Sequence, residues 1–366
     1  MSDGFRPTLA IVFISIKQDT DYVCSLLHEK NIQVFGSTTA GEFINSEILQ
    51  GAITIMLLDL NPDHFKIVFS ETSESSAYDS AKKLGTDGKW LFANPAFMIA
   101  SGWLHTDGEE IMRGIQEGAG NDAPVFGGMA GDDLLLRQPI VFTYGRKSVT
   151  GLVAIVINED RIAMKGVATC GWKPIGIRKV VTKSVGNIIY TIDDQPALDL
   201  VIKYLGLNID LNPGTDIVTN IGAYYPLQLE RENSAPVMRT AMLGNKEDRS
   251  LICAGTVPQG AKVRFSLPPD FDVIDTVVSE CMELKNEQQS EADAMIIFSC
   301  ISRYLSFGVM TSEEIERVAQ VWNAPLIGFF CYGEFGKSLS DKRTGQIGRH
   351  EFHNNTCCVV VLKEKK

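Results

Sequence analysis

The hydrophobic pattern of the chain repeats. Three stretches each carry a short apolar run, a segment with apolar residues at helical spacing, two apolar residues followed by glycine, and a glycine followed by an acid. In the first, residues 9–16 form the apolar run, Val23, Leu26 and Leu27 recur at helical spacing, and Val34-Phe35-Gly36 leads to Gly41-Glu42. In the second, the run is 95–100, Ile111, Met112 and Ile115 mark the helix, and Val125-Phe126-Gly127 leads to Gly131-Asp132. In the third, the run is 294–300, Ile315, Val318, Ala319 and Trp322 share a helical face, and Leu326-Ile327-Gly328 leads to Gly333-Glu334. Continuous apolar runs of this length predict strands covered on both faces, and the helical periodicity between them predicts helices.

A further strand and helix precede the second and third copies. They are 65–70 with a helix around 78–84, and 261–267 with a helix carrying Ile274, Val277, Val278, Cys281 and Leu284. The order β-α-β-α-β-glycine therefore occurs twice, near 64–133 and 261–334, which points to an internal duplication. Apolar runs at 52–58, 152–157 and 357–362 follow the glycine segments and predict one more buried strand for each copy. Thr106 with Glu109, and Thr311 with Glu314, have the spacing of capping boxes, so helices are expected to start there. Between the halves the pattern changes. Residues 161–168, 178–185, 188–192 and 251–257 read as strands, and a short helix with Leu198, Val201, Ile202 and Leu205 ends at Gly206. The expected fold class is α/β: internally duplicated β-α-β-α-β units with mixed sheets and a β-rich insert between them. The expected domains are 1–160 and 161–366, the second divided into a β-rich segment 161–260 and a closing α/β unit 261–366.

Charge and composition narrow the function. A net charge of −11 argues against nucleic acid and against adsorption to anionic membranes, both of which need a basic face. No apolar stretch approaches the roughly 18–20 residues of a spanning helix, and no signal-peptide cleavage pattern follows the first run. A cytoplasmic location without membrane insertion is expected. The 8 cysteines contain no C-x-x-C pair, so reduced thiols are expected rather than disulfides or a zinc ribbon, and covalent haem attachment is excluded. Gly127-Gly128-Met129-Ala130-Gly131 lacks the lysine of a phosphate loop and the G-x-G-x-x-G spacing, and the acids after it would repel phosphate. Neither G-x-S-x-G nor H-E-x-x-H occurs.

The glycine-acid segments are the most informative feature, because glycine lets the backbone approach a neighbour or a ligand closely. Residues 36–42 (Gly-Ser-Thr-Thr-Ala-Gly-Glu) and 126–133 (Phe-Gly-Gly-Met-Ala-Gly-Asp-Asp) resemble the N-terminal signature of the FIST family. Ser299-Cys300-Ile301-Ser302-Arg303, residues 328–334 (Gly-Phe-Phe-Cys-Tyr-Gly-Glu) and His353-Asn354-Asn355-Thr356 resemble the C-terminal one. The likeness covers nearly the whole chain in the right order, with one departure: Ser302 stands where the family often has glycine.

The resemblance implies a sensory module for small ligands such as amino acids, and a subset of such proteins are haem-binding nitric-oxide sensors that regulate a histidine kinase. No kinase or cyclase segment lies in these residues, so output through a partner protein is expected, with no catalysis. The candidate ligand-binding residues are Thr38, Thr39, Gly41, Glu42, Gly127, Gly128, Gly131, Asp132, Cys300, Arg303, Tyr332, Gly333, Glu334 and Asn354. Arg303 suits a ligand carboxylate by bidentate pairing, or a salt bridge to an acid such as Glu334. Glu42, Asp132 and Glu334 suit a ligand ammonium, or backbone N–H groups beside the turns. No resident cofactor is expected unless haem binds, with His353 as its axial ligand. The alternatives are a cysteine enzyme with Cys300 activated by His353 and assisted by Arg303, and a pure interaction scaffold.

Overall fold

The computed structural model describes residues 4–71, 76–102, 107–206, 221–232, 234–267, 270, 272–288, 290–340 and 345–365. The three repeats fold as three α/β units. In the first, Leu9–Ser15 is buried along its whole length and runs parallel to Gln33–Thr39, with Ile53–Leu58 antiparallel on its other side. The connecting helix Thr20–His28 starts where the Asp19 carboxylate accepts the Tyr22 N–H at 3.0 Å. The second unit sets Pro95–Ser101 between Val125–Met129 and Leu152–Asn158, with Phe65–Ser70 at the far edge. The third sets Ala294–Cys300 between Leu326–Cys331 and Cys357–Glu364, with Ile162–Thr169 at the far edge.

Two strands sit elsewhere than expected. Position in the chain puts Ile162–Thr169 in the insert, but it closes the third unit's sheet; the repeat pattern puts Lys262–Leu267 in the third copy, but it pairs with Lys173–Val185 and Leu227–Leu229 in the insert. The physical reason is burial. Ile162–Thr169 is buried at all but one position, which suits a sheet covered on both faces, whereas Lys262–Leu267 is exposed at both ends. The capping expectations also change. Thr106 lies outside the described residues, and Asp107 caps the helix Gly108–Ala119 by accepting the Glu109 N–H at 3.0 Å. Thr311 sits inside the helix Met310–Trp322 and bonds back to the Gly308 carbonyl, while Glu314 pairs with Arg303 instead of closing a box.

No unit completes its own sheet. The hairpin Glu42–Ile44 and Glu47–Leu49 leaves the first unit and pairs with Leu326–Cys331 of the third. The hairpin Val141–Thr143 and Arg146–Ser148 leaves the second and pairs with Gln33–Thr39 of the first. The hairpin Glu334–Lys337 and His350–His353 leaves the third and pairs with Val125–Met129 of the second. The exchange closes on itself as a ring. At each junction a glycine stands opposite a phenylalanine of the arriving strand: Gly36 opposite Phe142, Gly127 opposite Phe335, Gly328 opposite Phe43. A side chain at Gly36 would run into the Phe142 ring, and one at Gly328 into the Phe43 ring. Phe13 and Phe329, with ring centroids 4.5 Å apart, join the first and third units in one core.

The insert is an 8-stranded sheet with its own core, including Ile189, Leu198, Val263 and Phe265, packed under the helix Ala197–Leu205. Among the described residues no helix is long and apolar enough to cross a membrane.

Candidate functional site

The glycine-acid turns are the points where the chain leaves one sheet for the next. They are bonded to one another: Ala40 N–H to the Phe330 carbonyl at 2.9 Å, Gly131 N–H to the Thr38 carbonyl at 3.0 Å, Met129 N–H to the Gly333 carbonyl at 2.8 Å. The Thr38 hydroxyl donates to the Gly131 carbonyl and accepts the Ile140 N–H, both at 2.7 Å. All three acids are buried and bound. Glu42 accepts the Thr39 hydroxyl and the Ala52 N–H. Asp132 accepts the N–H groups of Leu136, Arg137 and Gln138 and the Tyr332 hydroxyl at 2.6 Å. Glu334 accepts the N–H and hydroxyl of Thr356 at 3.1 and 2.7 Å and the Cys331 thiol at 3.2 Å. Burial raises the pKa of Glu42 and pushes that of Glu334 up to about 7. A side chain at Gly127 would run into the Ile99 backbone and one at Gly131 into the backbone of Thr39 and Ala40, whereas at Gly41, Gly128 and Gly333 it would meet the side chains of Gln50, Cys331 and Phe352. The space left among Cys300, Ser302, Tyr332 and Thr240 is about 10 Å³, room for one water at most.

Arg303 is equally engaged. It is fully buried, forks onto Glu314, not Glu334, and donates to the carbonyls of Cys170 at 2.7 Å and Asn355 at 3.0 Å. The Phe307 and Trp172 rings flank it at 4.7 and 5.4 Å. Burial works against its charge, but Glu314 outweighs burial and raises the pKa. The Cys300 thiol is buried and pushed up by burial and by Glu334, the reverse of what an attacking thiolate needs. His353 is held neutral, its pKa pushed down to about 3 by burial and by Arg239, and its Nε2 lies 3.3 Å from the Gly336 carbonyl. Asn354 and Asn355 join the ring to the insert through the Thr240 N–H and hydroxyl, and Asn355 also donates to the Ala223 carbonyl. The motif 353–356 is therefore the seam between ring and insert.

A cavity of about 910 Å³ opens at this seam, within the usual range for a small-molecule site. His353 and Thr356 border it from the motif, Cys170 and Trp172 from the chain entering the insert, and Gln228 and Met238 from the insert's sheet. Gln228 lies between Leu227 and Leu229, which fill the insert's core, so alternation puts it on the opposite face. The helix Val273–Glu287 supplies Asp275, Glu280 and Glu283, with Asp272 at its N-terminus, and residues 338–340 and Gln346 join the lining. Asp272 is paired with Lys173 and Asp275 with Arg317. Burial and the neighbouring Glu283 push the Glu280 pKa up to about 7, against the pull of Arg303. Among the described residues no Lys or Arg lines the cavity, and no group of His, Cys, Asp or Glu is placed to hold a metal ion.

Of the candidate residues, His353 reaches this cavity, Cys300 and Tyr332 border the small void, Arg303 is held by Glu314, Asn354 bonds to the insert, and the rest lie at the crossings. Sequence reading missed Trp172, Gln228, Glu280 and Glu283. The acidic spacing on the helix was the available signal, but the same spacing is that of an ordinary solvated face.

A ring of exchanged α/β units with a β-rich insert and a ligand-sized cavity at their seam defines the class: an α/β protein with a cavity walled by two parts. The FIST N domain family matches residues 8–195 and the FIST C domain family residues 197–337. The chain belongs to the FIST family, whose domains are sensory, small-ligand-binding modules of signal transduction. No curated protein matches the chain.

Proposed function

We propose that the chain is a non-catalytic sensor in which a small ligand occupies the cavity at the seam and a partner protein, such as a histidine kinase, reads how the insert seats on the ring. The observation that carries this reading is the origin of the walls. Gln228 and Met238 come from the insert, Glu280 and Thr356 from the ring, so an occupant touches both and binds their alternative arrangements unequally. Glu280 and Glu283 suit an ammonium group such as an amino acid carries. Arg303 takes no part in binding, since releasing it would leave Glu314 buried and alone.

The reading gives Cys300 no nucleophilic role, because burial and Glu334 disfavour its thiolate. Haem does not fit the residues present. The His353 Nε2 faces a carbonyl, and the opposite wall is a helix presenting carboxylates where a porphyrin and its propionates need apolar surface and cations.

Thermal melting against amino acids, amines and haemin tests the reading. A true ligand is expected to stabilise the protein by about 2.7 kcal/mol at a hundredfold excess over Kd. Thr276→Trp, which narrows the cavity from an exposed helix position, is expected to abolish the shift while leaving the unliganded Tm in place. A shift that survives Thr276→Trp, or none with any compound, removes the cavity from the reading. In parallel, maleimide is expected to leave Cys300 unmodified in the native protein; rapid labelling there would revive a cysteine enzyme.

A further inference from the structure

Beside the cavity, and sharing Gln228, Pro236 and Gln346 with it, lies a second pocket of about 330 Å³. The outer face of the insert's sheet forms it. Arg178 comes from Lys173–Val185, and Arg264, from Lys262–Leu267, stands directly opposite Gln228 in register. Val263 and Phe265 fill the insert's core, so Arg264 between them points to the other face. Arg231 and Ser234 join from the segment after Leu227–Leu229. Among the described residues, three guanidinium groups line this pocket with Glu230 as the acid among them.

Glu230 does not satisfy them all. Arg178 Nε donates to Glu230 at 2.6 Å, but Arg264 Nε is 3.8 Å from the same oxygen, too far for a hydrogen bond. Arg231 is paired outside the pocket with Glu109 and Glu351. The Arg264 Nε is sheltered from solvent and has no hydrogen-bond partner, whereas the Arg231 Nε faces the Glu351 carboxylate 3.2 Å away. A guanidinium cannot shed its proton, so a donor like that of Arg264 calls for an acceptor. In a chain of net charge −11 a pocket of this sign is not the default surface.

We propose that this pocket binds an oxyanion, a phosphate or carboxylate group, through Arg178 and Arg264, whose planar forks suit bidentate pairing with either. The site does not depend on the sensory reading. Its test is isothermal titration of the full chain with inorganic phosphate and, separately, with succinate, at matched ionic strength in chloride buffer. Saturable binding of one is expected, and the two arms separate a phosphorylated from a carboxylate ligand. Arg264→Gln and Arg178→Gln should each weaken it about tenfold or more, while Arg249→Gln, elsewhere on the insert, should not change it. The Arg178 side chain is 60% exposed, so its variant is expected to keep its fold, which circular dichroism checks. Binding of neither anion, or binding that both Arg178→Gln and Arg264→Gln leave intact, overturns the site.

Discussion

Single residues carry the clearest energetic consequences. Arg303 and Glu314 are both buried and face each other, so removing one strands the other. Arg303→Ala is expected to cost about 3–5 kcal/mol, measured by urea unfolding, rather than to act on ligand affinity alone. Glu280 and Glu334 give a pH signature. Both have folded pKa values pushed up to about 7, mainly by burial, from a usual 4.5. A raised folded pKa means that the native state holds its proton more tightly than the unfolded state. The resulting stability is full below the unfolded pKa and is lost as pH rises through the folded one. Stability is therefore expected to fall between pH 4.5 and about 7, and Glu280→Gln or Glu334→Gln should each flatten the fall in urea midpoints. At this scale the sequence marked the turns but not what their residues do. Spacing placed Glu42, Asp132 and Glu334 at equivalent turns, yet the depth that turned them into acceptors for Ala52, Leu136 and Thr356 comes from chain segments beyond each motif.

Among the elements, the buried strands were the most legible, because a continuous apolar run such as Ala294–Cys300 has few other solutions. The helix Val273–Glu287 was legible from its periodicity, though its acidic wall was not separable from a solvated face. Lys262–Leu267 was placed in the wrong sheet because order along the chain does not fix which edge a strand joins. The junction glycines yield a prediction that belongs to paired strands. Gly328→Ala puts a methyl group into the Phe43 ring and should destabilise by about 1–3 kcal/mol. Phe43→Leu in the same chain should recover part of that loss, so thermal melts of the single and double variants should be clearly non-additive.

For the whole molecule, the exchange of hairpins makes the matched family segments interdependent. Residues 8–195 contain the strand Val125–Met129 but not its partner Glu334–Lys337, and the hairpin from Glu42 but not the strand Leu326–Cys331 that receives it. A fragment of residues 1–195 is expected to lack fixed tertiary structure, seen as absent near-ultraviolet dichroism, until residues 196–366 are added. The same arrangement governs the order of events at the ribosome. Chains lengthen at roughly 5–20 residues per second; every strand of the first unit's sheet is made by residue 148, whereas the second sheet lacks one edge, and the third sheet half of its strands, until the end of the chain. Ile162–Thr169 must wait for Cys357–Glu364, and Val125–Met129 for Glu334–Lys337. The nascent chain thus carries open, apolar strand edges through most of its synthesis. Its yield in a cell should depend on chaperone capacity more steeply than that of a protein whose halves fold one after the other.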